Sequence, residues 1–175
     1  MDISKIPAGI EPPHDINVFI EIPQGGLPVK YELDKASGAL FVNRFLHTTM
    51  FYPGNYGFIP STLAEDGDPC DALVVSQSAV VPGAVVRCRP VGALMMEDEA
   101  GNDEKIITVP VEALNPYYKD INSYTDLPIL LREQIQHFFH HYKDLEVGKW
   151  VKIIRWVGPD EAASLIMAAL DRARI

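Results

Sequence analysis

The chain has 175 residues, 47% of them hydrophobic and 22% charged, which suits one domain spanning 1–175 with a substantial core. Its formal net charge of -9 argues against a nucleic-acid groove, which needs a basic surface, but not against a small phosphorylated ligand held through bound cations. No apolar run approaches the roughly 20 residues of a membrane helix, and the start Met1-Asp2-Ile3-Ser4-Lys5 lacks a basic-then-apolar leader, so a cytoplasmic location is expected.

Residues 16–22 alternate, with Ile16, Val18, Ile20 and Ile22 on one face and Asn17, Phe19 and Glu21 on the other, which predicts a strand. Residues 29–33 alternate again and place Lys30 and Glu32 together. A turn over 34–38 leads into a strand over 40–46, so the two are expected to form a hairpin, with Arg44 on the face of Val42 and Leu46. Lys30, Glu32 and Arg44 are either a charge cluster on a wet sheet face or ligand-directed groups.

Residues 51–60 read as a loop too aromatic to be a flexible linker, its tyrosines either core residues with polar tips or hydroxyl donors. The loop leads to Asp66-Gly67-Asp68-Pro69-Cys70-Asp71. Gly67 and Pro69 impose a tight non-helical path there, and the apolar run 72–75 reads as a buried strand behind it. Carboxylates this crowded repel one another unless one is protonated, a base is near, or a hard cation binds them. A divalent metal is the favoured reading over a merely solvated turn. An EF-hand fails on spacing, since Cys70, Asp71 and Gln77 stand where it needs an oxygen ligand, Gly and Glu.

Short strands over 80–81, 84–89 and 91–96, divided by Pro82-Gly83 and Pro90, suggest a closed barrel. Residues 97–105 read as a hairpin tip, with Asp103 and Lys105 on one face of a returning strand over 106–109 and Asp98 able to sit opposite. A helix is predicted from an Asp126 N-cap, with Pro128 in its first turn, as far as Gly148; Tyr142 and Lys143 lie near its end. His137, His140 and His141 on it have no acidic partner nearby in sequence that would suggest zinc. A strand over 150–157 and a helix opening at Pro159 close the chain. Cys70 and Cys88 read as buried reduced thiols.

Six motifs in order carry a resemblance over nearly the whole chain: Ile20-Glu21-Ile22-Pro23, Lys30-Tyr31-Glu32, Phe51-Tyr52-Pro53-Gly54-Asn55-Tyr56-Gly57, the acidic turn, Cys88-Arg89-Pro90-Val91-Gly92 and His141-Tyr142-Lys143-Asp144-Leu145. The sequence resembles the soluble family I inorganic pyrophosphatases of the bacterial type. The resemblance implies an α+β, mainly β fold, a five-stranded OB-like closed barrel flanked by two helices, assembled as a homohexamer. It also implies hydrolysis of pyrophosphate to two phosphates with several Mg2+ ions.

Carried over residue by residue, it makes Asp66, Asp71 and Asp103 metal ligands and has Asp98 bind a further metal that arrives with substrate. Lys30, Arg44, Tyr56, Lys105, Tyr142 and Lys143 would hold the phosphates. Glu21, Glu32 and Tyr52 would support that shell, and Asp68 would help deprotonate the attacking water. The chain departs from the pattern at Cys70, usually aliphatic, and at Asn43, where many members have an acid and where strand alternation points the side chain away from Arg44.

This chemistry needs such groups because pyrophosphate is a polyanion that repels an anionic nucleophile. Metal ions remove that repulsion, and cations and hydroxyls stabilise the departing phosphate. The competing reading is a metal-binding OB-like module without catalysis, which would not need the phosphate-directed bases Lys30, Arg44, Lys105 and Lys143.

Overall fold

In the computed structural model, which describes residues 3–174, nine strands and two α-helices are built around a ring of five strands. The strands are β1 (Gly9–Glu11), β2 (Asp15–Ile22), β3 (Val29–Asp34), β4 (Ala39–Phe45), β5 (Asn55–Phe58), β6 (Asp71–Val74), β7 (Val85–Asp98), β8 (Gly101–Pro110) and β9 (Val151–Val157). The helices are α1 (Ile129–His141) and α2 (Pro159–Ala173). The sheet runs β1-β2-β5-β6-β8-β7-β9, and a further pairing of β2 with β7 closes β2, β5, β6, β8 and β7 into the ring. Only the β6–β8 pair is parallel. The five-stranded barrel flanked by two helices, expected from the resemblance, is the fold observed.

Alternation along the strands divides the apolar residues between two clusters. Ile22, Leu73, Leu94, Met96 and Ile107 pack with Ile135, Phe138 and Phe139 of α1. Their neighbours Ile20, Ala72, Val74, Ala93 and Ile106 pack with Ala162, Ile166 and Ala169 of α2. On β6, β7 and β8 the helices thus cover different faces of the same strands, as a period of two requires. On β2, by contrast, a shift of register with β5 between Ile20 and Ile22 turns Ile22 away from the face it was expected to share with Ile16, Val18 and Ile20. Cys70 and Cys88 are buried free thiols, and burial pushes both up to about 12, away from reactivity.

The strands over 16–22, 29–33, 40–46 and 72–75 form close to the expected bounds, whereas other local expectations are corrected. Among them is the hairpin tip over 97–105, which narrows to Glu99 and Ala100 because β7 runs to Asp98 and β8 begins at Gly101. The aromatic loop over 51–60 contains β5, a fully buried ring strand. Gly57 is needed within it because a Cβ there would lie 1.8 Å from the Phe19 carbonyl oxygen of β2. The separate strands over 84–89 and 91–96 are one 14-residue strand, β7, with Pro90 accommodated where the register with β8 shifts. No strand forms at 80–81. Finally, Asp126 does not start α1: it closes a capping box with Ser123 around a short 3-10 turn. Pro128 is the N-cap of α1, which ends at His141 rather than near Gly148.

The two strands β3 and β4 form a sheet of their own, outside the ring. Their hairpin stands beside the end of β5 and β6, and this arrangement creates the site.

Candidate active site

The acidic turn is built by local hydrogen bonds. Thr62 Oγ1 donates to the Ile59 carbonyl and accepts from the Cys70 N–H, the Ala64 N–H donates to the Asp68 carbonyl, and Asp66 Oδ1 accepts from the Asp68 N–H. Gly67 takes a φ of 91° at the apex, a conformation that disfavours any residue with a side chain. Asp66 and Asp68 are thereby exposed at the mouth of a cavity of about 290 Å³, while Asp71 begins β6 deeper within it.

All fourteen residues singled out for the site line that one cavity. Asp66, Asp68 and Asp71 come from the turn and β6, Asp98 and Asp103 from the β7–β8 hairpin, and Lys105 from β8. Glu21 lies on β2, Lys30 and Glu32 on β3, and Arg44 on β4. Tyr52 and Tyr56 flank the start of β5, and Tyr142 and Lys143 follow α1.

The deep wall is an ionic network. Lys105, only 3% exposed, donates from Nζ to Asp71 Oδ2 at 2.5 Å and to Asp103 Oδ1 at 2.6 Å. The Tyr56 hydroxyl donates to the same Asp71 oxygen at 2.6 Å. Burial opposes charge on the Lys105 ammonium, but Asp103 and Asp71 together raise it well above an ordinary lysine. Burial raises the Asp103 carboxyl, and only the Lys105 ammonium works against that. Lys143 Nζ donates to Asp98 Oδ2 at 2.6 Å; this bond, with the Ala100 N–H on the other oxygen, outweighs burial and holds Asp98 below its usual range. Burial pushes the hydroxyls of Tyr52, Tyr56 and Tyr142 up, so they remain donors at neutral pH. Tyr52 packs between Tyr56 and Phe138 in tilted contacts, ring centroids 5.6 Å and 4.7 Å away.

The opposite wall is the β3–β4 hairpin. Lys30 and Arg44 face each other across it, and Lys30 Nζ lies 2.7 Å from Glu32 Oε1. Glu21 is buried at the junction of ring and hairpin, where its Oε1 accepts the Leu33 N–H at 2.8 Å. Burial pushes the Glu21 carboxyl up to about 7. Asn43 does not turn away from Arg44, and Arg44 does not share the face of Val42, because the register of β3 with β4 shifts between Lys30 and Tyr31 and leaves Asn43 as an extra residue. Asn43 Nδ2 donates to Glu32 Oε2 at 2.8 Å and its Oδ1 accepts from Arg44 Nη1 at 3.3 Å.

Lys35, Lys149 and Phe139 also line the cavity and were not singled out from sequence. For Lys35 the signal was available, since it sits in the turn of a hairpin already suspected of carrying Lys30 and Arg44. Lys149 and Phe139 reach the cavity only through packing of the α1 region, which no local pattern encodes.

Among the described residues, no three carboxylate, imidazole or thiol side chains converge as a finished metal site, because Lys105 lies between Asp71 and Asp103. The donor chemistry nonetheless fits a hard divalent cation. Every candidate ligand is a carboxylate oxygen, two of them share a single ammonium, and nearby Glu21 holds its proton to about 7.

The profile of the inorganic pyrophosphatase family matches residues 18–174. The chain belongs to the inorganic pyrophosphatase family. It is similar to the inorganic pyrophosphatase of Caulobacter vibrioides, at 64% identity over 98% of this chain and 97% of that relative. Among solved structures, an inorganic phosphatase from Anaplasma phagocytophilum superposes with a TM-score of 0.96 at 48% identity, covering 98% of this chain and all (100%) of the other. The inorganic pyrophosphatase of Thermus thermophilus superposes with a TM-score of 0.94 at 43% identity over 100% of both chains. The chain is accordingly an enzyme, a hydrolase of inorganic pyrophosphate, as its motifs led one to expect. The family is metal-dependent, and no helix among the described residues is long and apolar enough to cross a membrane.

Proposed function

We propose that residues 1–175 act as one catalytic domain that splits pyrophosphate into two phosphates with Mg2+, the acidic wall serving the nucleophile and the basic wall the leaving group. The observation that carries this reading is that Asp66, Asp68, Asp71, Asp98 and Asp103 line one cavity together with Lys30 and Arg44 of the separate β3–β4 hairpin. Asp66, Asp71 and Asp103 would hold metal, and Asp98 a further ion that arrives with substrate. Such ions neutralise the polyanion and make water acidic enough to react near neutral pH.

Asp68, exposed at the mouth and close in sequence to two of those ligands, accepts the proton of the attacking water. Lys30, Arg44, Tyr142 and Lys143 stabilise the charge that gathers on the departing phosphate. Tyr56 and Lys105 bind the retained phosphate, and the same two donors set the position of Asp71. Glu21 seats β3 through Leu33, Glu32 orients Lys30, and Tyr52 packs behind Tyr56.

The direct test is phosphate release from pyrophosphate during a Mg2+ titration, with chelator and Ca2+ controls. Release that requires Mg2+ and stops with chelator is expected. No release by folded protein at neutral or alkaline pH would leave a metal-binding module without catalysis. We also propose a cytoplasmic enzyme assembled as a homohexamer. The resemblance supports the assembly, and the exposed Ile129 and Leu130 at the start of α1 offer apolar surface for association. Sedimentation measures the mass directly.

A further inference from the structure

The β3–β4 hairpin carries Lys30 and Arg44 but shares no ladder with the ring, and no residue of β3 or β4 is fully buried. Something other than sheet pairing must set where Arg44 stands. The segment after α1 does so at two successive residues. The Leu145 carbonyl lies 3.2 Å from His47 Nδ1, just past β4, and Glu146 Oε1 accepts from Arg44 Nε at 2.8 Å. The segment is itself coiled into turns: the Glu146 N–H donates to the Lys143 carbonyl and the Lys149 N–H to the Glu146 carbonyl. Lys143 and Glu146 are therefore presented by one rigid piece of chain, one into the cavity and the other onto Arg44.

Glu146 is 8% exposed, and its second oxygen, Oε2, is buried without a hydrogen bond, 3.9 Å from Lys149 Nζ. A buried carboxylate oxygen in that state costs stability, so the fold alone gives no reason for an acid here. The side chain makes one hydrogen bond among the described residues, to Arg44. By taking Nε it fixes the plane of the guanidinium and leaves Nη2, which has no protein acceptor among the described residues, for a phosphate.

We propose that Glu146 is a positioning residue for the reaction: it aims Arg44 at the leaving phosphate and ties the hairpin to the Lys143 segment. The inference rests on the phosphate-binding role given to Arg44 above. Steady-state kinetics of Arg44→Ala, Glu146→Ala, the double variant and Glu146→Gln test it, with thermal midpoints alongside. Glu146→Ala is expected to lower kcat/KM roughly tenfold or more, as loss of a charge-assisted hydrogen bond does. Glu146→Gln keeps an oxygen for Nε and should recover most of that loss with an unchanged midpoint.

The double variant should be no worse than Arg44→Ala alone, because two residues acting through one contact do not add. Additive losses, or parental kcat/KM in Glu146→Ala, would overturn the role of Glu146 while leaving that of Arg44 intact. Parental kcat/KM in Arg44→Ala would instead overturn the role of Arg44, and this inference with it.

Discussion

The two walls of the cavity are made in different ways. The deep wall belongs to the ring: Tyr56, Asp71, Asp103 and Lys105 stand on or beside β5, β6 and β8, neighbours in one hydrogen-bonded sheet, and Lys105 is almost completely enclosed. The hairpin wall has a two-stranded sheet of its own, partly exposed throughout, seated by single contacts such as Glu21 to Leu33 and Glu146 to Arg44. Concentrated charge that must be kept from solvent is thus built into strands whose backbone is already committed. The groups we propose to meet the substrate anion are carried on a surface hairpin that a few polar bonds place. Damage to the deep wall should register first as lost stability, and damage to the hairpin as lost substrate handling.

Asp68 is the strongest challenge to that division, because it stands beside the deep wall in sequence yet is exposed. Asp68→Asn is expected to reduce turnover by ~100- to 10,000-fold, the usual contribution of a general base, while the thermal midpoint and the binding of Mg2+ in a calorimeter stay near parental. Near-normal turnover would remove Asp68 from the mechanism.

Lys105→Met then reads the deep wall itself. The substitution leaves Asp71 and Asp103 facing each other without their shared ammonium, and breaking a buried ion pair on one side costs about 3–5 kcal/mol. Urea unfolding in chelator should show a loss of that size. Added Mg2+ should recover part of it, since a bound cation replaces the missing charge. Parental stability in chelator would mean that the network does not hold the wall together.

Glu21 lies at the seam between the walls and gives the comparison a pH dependence. Its carboxyl titrates at about 7 in the folded chain against 4.5 ordinarily, so the folded protein holds this proton more tightly than the unfolded chain does. The stability that protonation brings is complete below the unfolded value and is lost as pH rises through about 7. The loss is at most about 3 kcal/mol. Glu21→Gln keeps the oxygen that accepts the Leu33 N–H and removes the titration. In chelator it should match the parent at the acid end and exceed it progressively toward pH ~8. A difference that does not change with pH would place the shift elsewhere.

What the sequence disclosed follows the same contrast. The hairpin, the acidic turn and the strands over 16–22 and 72–75 are legible because alternation and turn residues are local signals. The ring strand β5 is not, since Pro53, Gly54, Gly57 and Pro60 make it look like a loop. Gly57 is there for an approach to Phe19 that no local pattern reveals. Pro90 divided β7 on paper because the register shift that accommodates it depends on β8. The candidate site residues came from the order of motifs more than from periodicity. Glu146 escaped both, being 102 positions from Arg44 and hidden behind a helix that was expected to run on through it.

Asn43 offers the mildest test. It joins Glu32 to Arg44 on the hairpin, donating to one and accepting from the other. Asn43→Asp would lose the donor and set a charge against Glu32, while its carboxylate would hold Arg44 more strongly. Glu32 is 46% exposed in its side chain, so water and salt screen both effects. The expected net change is under about 1 kcal/mol in stability and within roughly threefold in kcat/KM, smaller still at high salt. A tenfold loss of kcat/KM at unchanged stability would break the comparison from the other side. It would mean that the hairpin's outer positions are coupled to the chemistry as tightly as the deep wall, and that the few polar bonds seating the hairpin do not account for its placement.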